Sequence, residues 1–554
     1  MPKGPLAGRY SVVATMVIVA LVPYLTLSAA LGPVSPVIAM RLHMSLQTAG
    51  LATGLANAGY AVGTILAVQI ALEQPQRRML LVYGTLLVIG SVLAAAAPDA
   101  GVFIAGHILQ GLCTSLLLIA AVPPLIINFP LARLRTTVVY LNICIFGAVA
   151  LGPVIGGIQA NAHGWRPLFW VIAAIAVLAL LLSILTFEDV PPADPSAPRD
   201  PWAIGLALSG CVASFYGASE SLTHSFGDPI TYGPLAGGLA LIFLLLVHQY
   251  RARRPLLLVR DLISTFPTAA IVIAVSAAAA AQSAILLTGE VLSKHFTPLD
   301  LGLLYLPEVA GTLIAAVAFA VLFSKAALHY AVLAGMVFLG AGVLVMNGAA
   351  PPTVPLIAVG SGLVGVGLGA SVVPALFIAG FSLHSHNVQR VFAIIELLRA
   401  VGAFLIAPIL LHVALTTGGT PVSGLRTALW IAFGIAAAGA LLGVCLYMLG
   451  GVRPPAPDLQ RWSSGEDAAW DSPPLLATVS GKSAESALRW EPVDTGGGGG
   501  QHGRLLGRAE LADGVKRPGE HLIVGRRERA DRPVRAEHHA VRPEPGEQDV
   551  RPRS

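Results

Sequence analysis

The sequence predicts an all-α protein that crosses a membrane about fourteen times. Three observations predict it. The 554 residues are 55% hydrophobic with a mean hydropathy of +0.76. Only 11% are charged, against about 25% in soluble domains. Apolar runs of about twenty residues, the length that crosses about 30 Å of hydrocarbon, recur as far as Gly451. A chain this apolar cannot cover a water-facing surface, so lipid is its natural solvent. Its basic excess lies in loops of the apolar body, which suits a membrane face and not a nucleic-acid partner.

The spans are placed at 11–32, 46–70, 79–97, 101–127, 137–159, 167–187, 202–220, 232–250, 266–290, 302–324, 328–347, 354–380, 390–416 and 424–448. The first is read as a span and not as a cleaved leader, being long, without a clear cleavage site and followed by many more. Proline inside spans, as at Pro23, Pro123 and Pro307, is tolerated where neighbouring helices satisfy the freed backbone groups.

Lys and Arg set the orientation. With the N-terminus inside, 13 of them fall in inner segments and 4 (Arg41, Arg166, Lys294 and Arg426) in outer loops. This positive-inside bias supports an even number of spans and puts both termini in the cytoplasm of a multi-pass plasma (inner) membrane protein. Beyond Gly451 the composition changes. Residues 452–554 carry 16 basic and 16 acidic residues, a Gly496–Gly500 run and many prolines. Such a stretch buries too little apolar surface to offset its ordering entropy, so a disordered cytoplasmic tail is expected there.

Signatures of enzymes and metal sites are missing. No phosphate-cradling loop and no HExxH or paired-Cys pattern occurs, so no cofactor, metal or enzymatic activity is expected. Cys113, Cys144, Cys211 and Cys445 lie in apolar runs without metal-type spacing and read as buried thiols. The His384–His386 pair reads as a solvated turn of an inner loop.

The most distinctive local pattern lies in span five, where Gly147, Gly152, Pro153, Gly156 and Gly157 strip one helix face of side chains. Such a face admits a neighbouring helix at close range. This run resembles the antiporter motif of the major facilitator superfamily, at its expected place. Trp165-Arg166-Pro-Leu-Phe-Trp170 is similar to the aromatic start of span six in drug:proton exporters. His107-Ile-Leu-Gln110-Gly111 resembles that branch's R-x-x-Q-G, with His for Arg. Glu73-Gln-Pro-Gln-Arg77-Arg78 is similar to the D-R-x-G-R-R gate loop, with Glu73 at the acid, Arg77 and Arg78 at the basic pair, and Gln76 for the glycine. Gly302 to Pro307 resembles G-x-x-x-L-P at span ten, and Arg399-Ala-Val-Gly402 resembles R-x-x-G at span thirteen.

Span count and motif order together identify a diverged member of the fourteen-helix, multidrug-exporter branch. The resemblance implies the major facilitator fold, two six-helix bundles plus two inserted helices. The expected organisation is a cytoplasmic N-terminus at 1–10, a first bundle at 11–187, a linker with two extra spans at 188–265, a second bundle at 266–451 and the tail. It also implies alternating access around a midplane site, with secondary active efflux of a small molecule, drug-like or a metabolite, driven by protons. A monomer whose partners are substrate, protons and lipid is expected. Span one departs from the branch: Leu27 to Pro36 lacks the usual Asp and Asn. An uptake or facilitative carrier of the same fold, and a non-transporting sensor or scaffold, stay open as alternatives.

Charges inside spans are costly and mark pathways by default. Glu396 and Arg399, three apart on one helix face, are either a pair facing the central cavity or a lock between helices. Glu308 follows Pro307, Glu290 ends span nine, and Glu220 closes span seven as an interfacial group. His107 is either a titrating substitute for the Arg or a neutral buried group bonded to Gln110 or a carbonyl. Gln110, Asn142 and Gln282 are uncharged pathway candidates or interhelical glue. Aromatic residues are few in the body, so no Phe- and Trp-rich pocket is indicated, though Phe146 and Trp170 are available to one.

Overall fold

The computed structural model describes residues 6, 8–186, 199–348, 353–451, 453–475 and 477–480. Among them fourteen helices are long and apolar enough to cross a membrane. The first six are α1 (Tyr10–Arg41), α2 (Gln47–Glu73), α3 (Gln76–Ala96), α4 (Ala100–Ile127), α5 (Leu131–Asn161) and α6 (Arg166–Thr186). Then come α7 (Pro201–Glu220) and α8 (Pro229–Arg251). The last six are α9 (Thr265–Leu292), α10 (Pro298–Leu322), α11 (Ala327–Gly348), α12 (Val354–Phe381), α13 (Ser385–Thr416) and α14 (Pro421–Gly450). No strand occurs among the described residues. The end bearing residues 73–78 is called here the gate-loop end, and the opposite one the far end.

Several helices start where the sequence offers a substitute for missing backbone partners, since an unpaired N–H in hydrocarbon is costly. Ser45, Asp99 and Asp200 accept from the backbone N–H of Thr48, Val102 and Ala203, each at 3.0 Å. Pro201, Pro229, Pro298 and Pro421 occupy the first turn of their helices, where a missing N–H costs nothing.

The helices sort into two bundles. In the first, α2 packs on α4, α3 on α4 and α6, and α1 on α5. In the second, α9 packs on α12, α13 and α14, while α11 and α10 flank α12. The inserted α7 and α8 pack on each other, and α7 lies against α2. Phe243, Val337 and Leu441 stand exposed, on faces suited to lipid. Between the bundles the main seams are α2 on α13 and α5 on α10.

The α5–α10 seam shows what the glycine motif does in this chain. A Cβ at Gly156 would overlap the Ala30 carbonyl of α1, and one at Gly157 would overlap the Pro298 carbonyl of α10. One short stretch of α5 therefore serves two partners, one in each bundle, and draws them together at the far end. α10 is itself broken, with residues 298–304 and 306–322 helical on either side of Tyr305. α5 begins at Leu131, earlier than the predicted 137, and contains a π-helical turn at Ile143–Gly147.

One expectation changes here. The tail was expected to be disordered from residue 452, but 453–475 form ordered structure with a short helix α15 (Leu459–Ser464). Trp462 and Trp470 are the reason, each only 1% exposed and bringing apolar area that the overall composition of the tail hides. Residues 481–554, and most of the 188–265 linker ahead of α7, lie outside the described residues. The aromatic residues, few in number, are nonetheless gathered in places. Phe319, Phe377, Phe381, Phe392, Trp462 and Trp470 form one connected set at the gate-loop end. Trp170 is 48% exposed and takes no part in the interior.

The seam predicts a stability difference between two glycines. Gly157→Val is expected to cost about 1–3 kcal/mol, the usual penalty of overpacking, and to lower the melting temperature of the purified protein. Gly205→Val, at a position with open space around it, is expected to leave it unchanged.

Candidate functional site

A polar cluster joins the bundles midway through the protein. Glu396 lies eleven residues into α13, about 16 Å along its axis, and is 3% exposed; Arg399 is 7% exposed. The Arg399 Nε donates to Glu396 Oε2 at 3.0 Å, and its Nη2 reaches the same oxygen. Tyr60 of α2 completes the set from the other bundle. Its hydroxyl donates to Glu396 Oε2 at 3.2 Å and accepts from Arg399 Nη2 at 3.4 Å. The spacing of three that puts both charges on one face of α13 thus meets a single tyrosine flanked by Gly59 and Ala61. Gly59 itself faces α4, where a Cβ would press on the Ile108 carbonyl.

A second set lies on the first-bundle side. Gln110 of α4 donates to Ser91 Oγ of α3 at 3.1 Å, and its Oε1 lies 3.1 Å from His107 Nδ1. The His107 ring is 5.8 Å from that of Tyr24, and Tyr24 stacks on Tyr60 at 6.4 Å. The buried Tyr24 hydroxyl has no hydrogen-bond partner. Aromatic and polar side chains therefore run without interruption from Ser91 to Glu396.

Asn142 forms a third link across the bundles. Its Nδ2 donates to the Gly369 carbonyl of α12 at 2.8 Å, and its Oδ1 is buried without a partner. The π-turn follows it directly, a distortion that recurs at functional sites. A cavity of about 10 Å³ lies between these links, with Val122, Leu141, Ile145, Phe377, Phe392 and Glu396 on its walls. It has room for about one water. A substrate reaches this centre only if the bundles separate.

The other sequence candidates fall in different places. Glu308 is 4% exposed on α10, where its backbone carbonyl meets Gly365 of α12. Glu290 is exposed at the far end of α9, so its place as an interior pathway group is corrected: it sits where the helix leaves the bundle. Gln282 is half-buried on α9. Glu220 accepts from Gln47 at 2.9 Å and pairs with His224 at 3.0 Å, beside α2. Of the antiporter motif, Gly152 and Gly156 face α1 and Gly157 faces α10, as Pro153 and Val154 do through Gly302; Gly147 is less crowded, with Thr312 of α10 at 3.9 Å from its Cβ position.

The gate loop is tied differently from its motif pattern. Glu73 takes Gln69 Nε2 at 2.8 Å and Arg199 Nε at 3.0 Å. Arg78 instead donates to Gln74 at 3.1 Å, and Arg77 reaches the Ile184 carbonyl at 3.5 Å. Asp200 extends the network: its N–H donates to Gln69 Oε1 at 3.1 Å, while its carboxylate accepts from Gln249 at 2.8 Å and lies 3.0 Å from His248. Burial alone would raise the Asp200 carboxyl, but hydrogen bonds from the Ala203 N–H, Gln249 and His248 outweigh it and hold the group below its ordinary value.

Sequence reading missed Tyr60, Tyr24 and Ser91, and all six aromatic residues of the gate-loop end. The tyrosines offered a signal, as isolated hydroxyl-bearing rings inside apolar runs. The phenylalanines did not, being indistinguishable from lipid-facing ones.

Two six-helix bundles with two inserted helices, linked through Tyr60 to a buried ion pair on α13, define the major facilitator class of membrane-protein fold. Comparison with known proteins agrees. The family model described as Major Facilitator Superfamily matches residues 15–296, and the chain belongs to that family. Among its relatives are the uncharacterized MFS-type transporter YubD of Bacillus subtilis, 23% identical over 269 residues, covering 48% of this chain and 52% of that one. The multidrug resistance protein B homolog of Mycobacterium tuberculosis is 25% identical over 321 residues (57% and 59%). The drug efflux pump JefA of the same species is 25% identical over 271 residues (46% and 52%). The chain thus spans about half the length of the curated relatives it matches. Similar solved structures include the human organic anion transporter MFSD10, with a TM-score of 0.56, 12% identity and coverage of 78% and 99%. A POT family transporter in complex with 5-aminolevulinic acid gives 0.59, 13%, 80% and 98%.

Two outcomes follow. Glu396→Ala leaves a buried guanidinium uncompensated and is expected to cost about 3–5 kcal/mol, whereas Glu396→Leu with Arg399→Met together is expected to cost far less; thermal unfolding of the two proteins compares them. A carboxyl depressed in the folded state stabilises it above the unfolded value and gives this up as pH falls through the folded one. Asp200→Asn should therefore melt below wild type at neutral pH, with the gap shrinking as pH drops below the ordinary value of 3.8.

Proposed function

We propose that the chain is a secondary active transporter that exports a small organic molecule across the plasma membrane in exchange for protons. The observation that carries this reading is the Tyr60–Glu396–Arg399 knot. It is ionisable, buried, and built from both bundles. Ionisable groups inside spans are costly, and by default they mark pathways or relays. Protonating Glu396 removes the charge that holds Arg399 and weakens the link to Tyr60, so one proton is exchanged for a mechanical release. The proton returns when the pair re-forms after the bundles have rocked.

Efflux is supported by the glycine-rich face of α5, which seals the far end through Gly157 and α10, and by relatives whose names give multidrug resistance and drug efflux. The walls beside Glu396 are aliphatic and aromatic, which suits an apolar organic cargo. Cytoplasmic termini follow from the Lys and Arg bias, which makes the gate-loop end the cytoplasmic one. With no acid between Leu27 and Pro36 in α1, the coupling role falls to Glu396, with His107 and Glu308 as the other buried candidates.

Inverted membrane vesicles with an imposed proton gradient test the proposal, with ethidium, a lipophilic cation, first in a panel of lipophilic dyes both charged and neutral. Gradient-dependent uptake that a protonophore abolishes is expected, and Glu396→Gln should slow it about tenfold or more, equivalent to about 1.4 kcal/mol of barrier. Uptake that proceeds equally without a gradient would point to a facilitative carrier. No uptake across the panel would contradict the proposal.

A further inference from the structure

The ordered segment 453–475 is placed across the gate-loop end by a dense set of contacts. Asp458 caps α15 by accepting from the Arg461 N–H at 3.1 Å. The Ala469 N–H donates to the Phe381 carbonyl at 2.8 Å, and the Thr265 N–H to the Pro473 carbonyl at 2.9 Å. The segment is thereby stitched to the end of α12 and the start of α9. Trp462 Nε1 donates to the Leu383 carbonyl at 3.0 Å, and Trp470 Nε1 to the Pro455 carbonyl at 2.9 Å. Both indoles are buried with their single polar atom satisfied, the arrangement that lets tryptophan anchor a segment.

These anchors connect to the centre. The Trp462 ring lies 4.8 Å from Phe381, and the Trp470 ring 5.8 Å from Phe381 and 4.7 Å from His329. Phe381 is 5.5 Å from Phe377, and Phe377 is 5.9 Å from Phe392. Phe377 and Phe392 are walls of the cavity that Glu396 also lines. A series of edge-on and tilted ring contacts therefore runs from the segment after the last span to the cavity that Glu396 lines. α15 has a second contact as well: it packs against the first part of α5 (residues 131–142), which belongs to the other bundle.

We propose that residues 453–475 are a clasp on the transport path. Trp462 and Trp470 are positioning residues that act through Phe381 to set Phe377 beside Glu396. α15 holds the start of α5 against the second bundle, so the gate-loop end opens only when α15 releases α5. The clasp thereby makes the rate of opening depend on a segment outside the fourteen spans. This inference rests on reading the interior as the path of transport, but its test needs no substrate.

The test uses the full-length chain with Cys113, Cys144, Cys211 and Cys445 replaced by Ser and one reporter cysteine at a time, labelled with N-ethylmaleimide. Leu141→Cys reports the cavity, and Leu301→Cys, buried at 8% exposure, reports the far-end seal. Trp462→Ala is expected to speed labelling of the cavity reporter about tenfold, an opening shift of about 1.4 kcal/mol, and to leave the far-end reporter unchanged or slower. Trp462→Phe keeps a ring against Phe381 and should act less. Asp458→Ala, which only uncaps α15, should act in the same direction and serves if the Trp462→Ala protein does not fold. Unchanged cavity labelling in Trp462→Ala, or in Asp458→Ala where that variant serves, would overturn the clasp. So would equal acceleration at both reporters, which is the mark of a loosened fold. A chain that passes this test yet moves no dye refutes the carrier reading and leaves the clasp standing.

Discussion

A guanidinium and a carboxylate buried halfway across a membrane protein have no water to turn to, and the rest of the interior is arranged around that fact. Both charges sit on α13, so the second bundle contains its own neutral pair. The third member, Tyr60, comes from the first bundle and bonds to both. Held this way, the pair is also a joint. Any motion that parts α2 from α13 must strip the pair of the phenol, and any event that neutralises Glu396 makes that stripping easier. Breaking a buried pair on one side costs several kcal/mol, while removing it whole is often nearly neutral. Much of the link between α2 and α13 is thus placed in one set of polar contacts.

The two ends are closed by different physics. At the far end, glycines of α5 bring backbone against backbone, so α1 and α10 approach within van der Waals range of one helix. Without a hydrophobic force between helices in lipid, close packing of small residues is the available glue. At the gate-loop end, bulky rings fill the space instead, and α15 adds two indoles from outside the spans. A third device lies beside the seam. The far end of α7 bonds to α2 through Glu220 and Gln47, and His412 of α13 bonds to the Ser221 carbonyl. The inserted helix therefore touches both bundles at the edge of the α2–α13 contact.

Much of this was legible in the sequence, for definite reasons. Spans are read from length and apolarity, which the bilayer dictates, and the helices formed where those runs lie. The Glu396–Arg399 pair was visible because charges in spans are rare. Its partner was not, because no local pattern tells which of several tyrosines will face another bundle. Glu290 illustrates the opposite failure: an acid at the end of a predicted span looks interior until the helix is seen to project it outward. In the tail, composition averaged over about a hundred residues masked two tryptophans that were enough to fold the first quarter of it. Asn142 gave no hint of the π-turn that follows it, since no local residue pattern marks such a turn.

The Tyr60–Glu396–Arg399 knot ties the two bundles midway between the ends, and on this account its release lets the gate-loop end part. The most direct measurement is the distance between spin labels on Arg135→Cys of α5 and Lys325→Cys after α10, both exposed at that end, by double electron–electron resonance in lipid. With Cys113, Cys144, Cys211 and Cys445 replaced by Ser so that only these two sites are labelled, the account predicts one short distance population while the knot is intact and a second, longer population when Glu396→Gln or Tyr60→Phe is added. Identical distributions in all three proteins would contradict it.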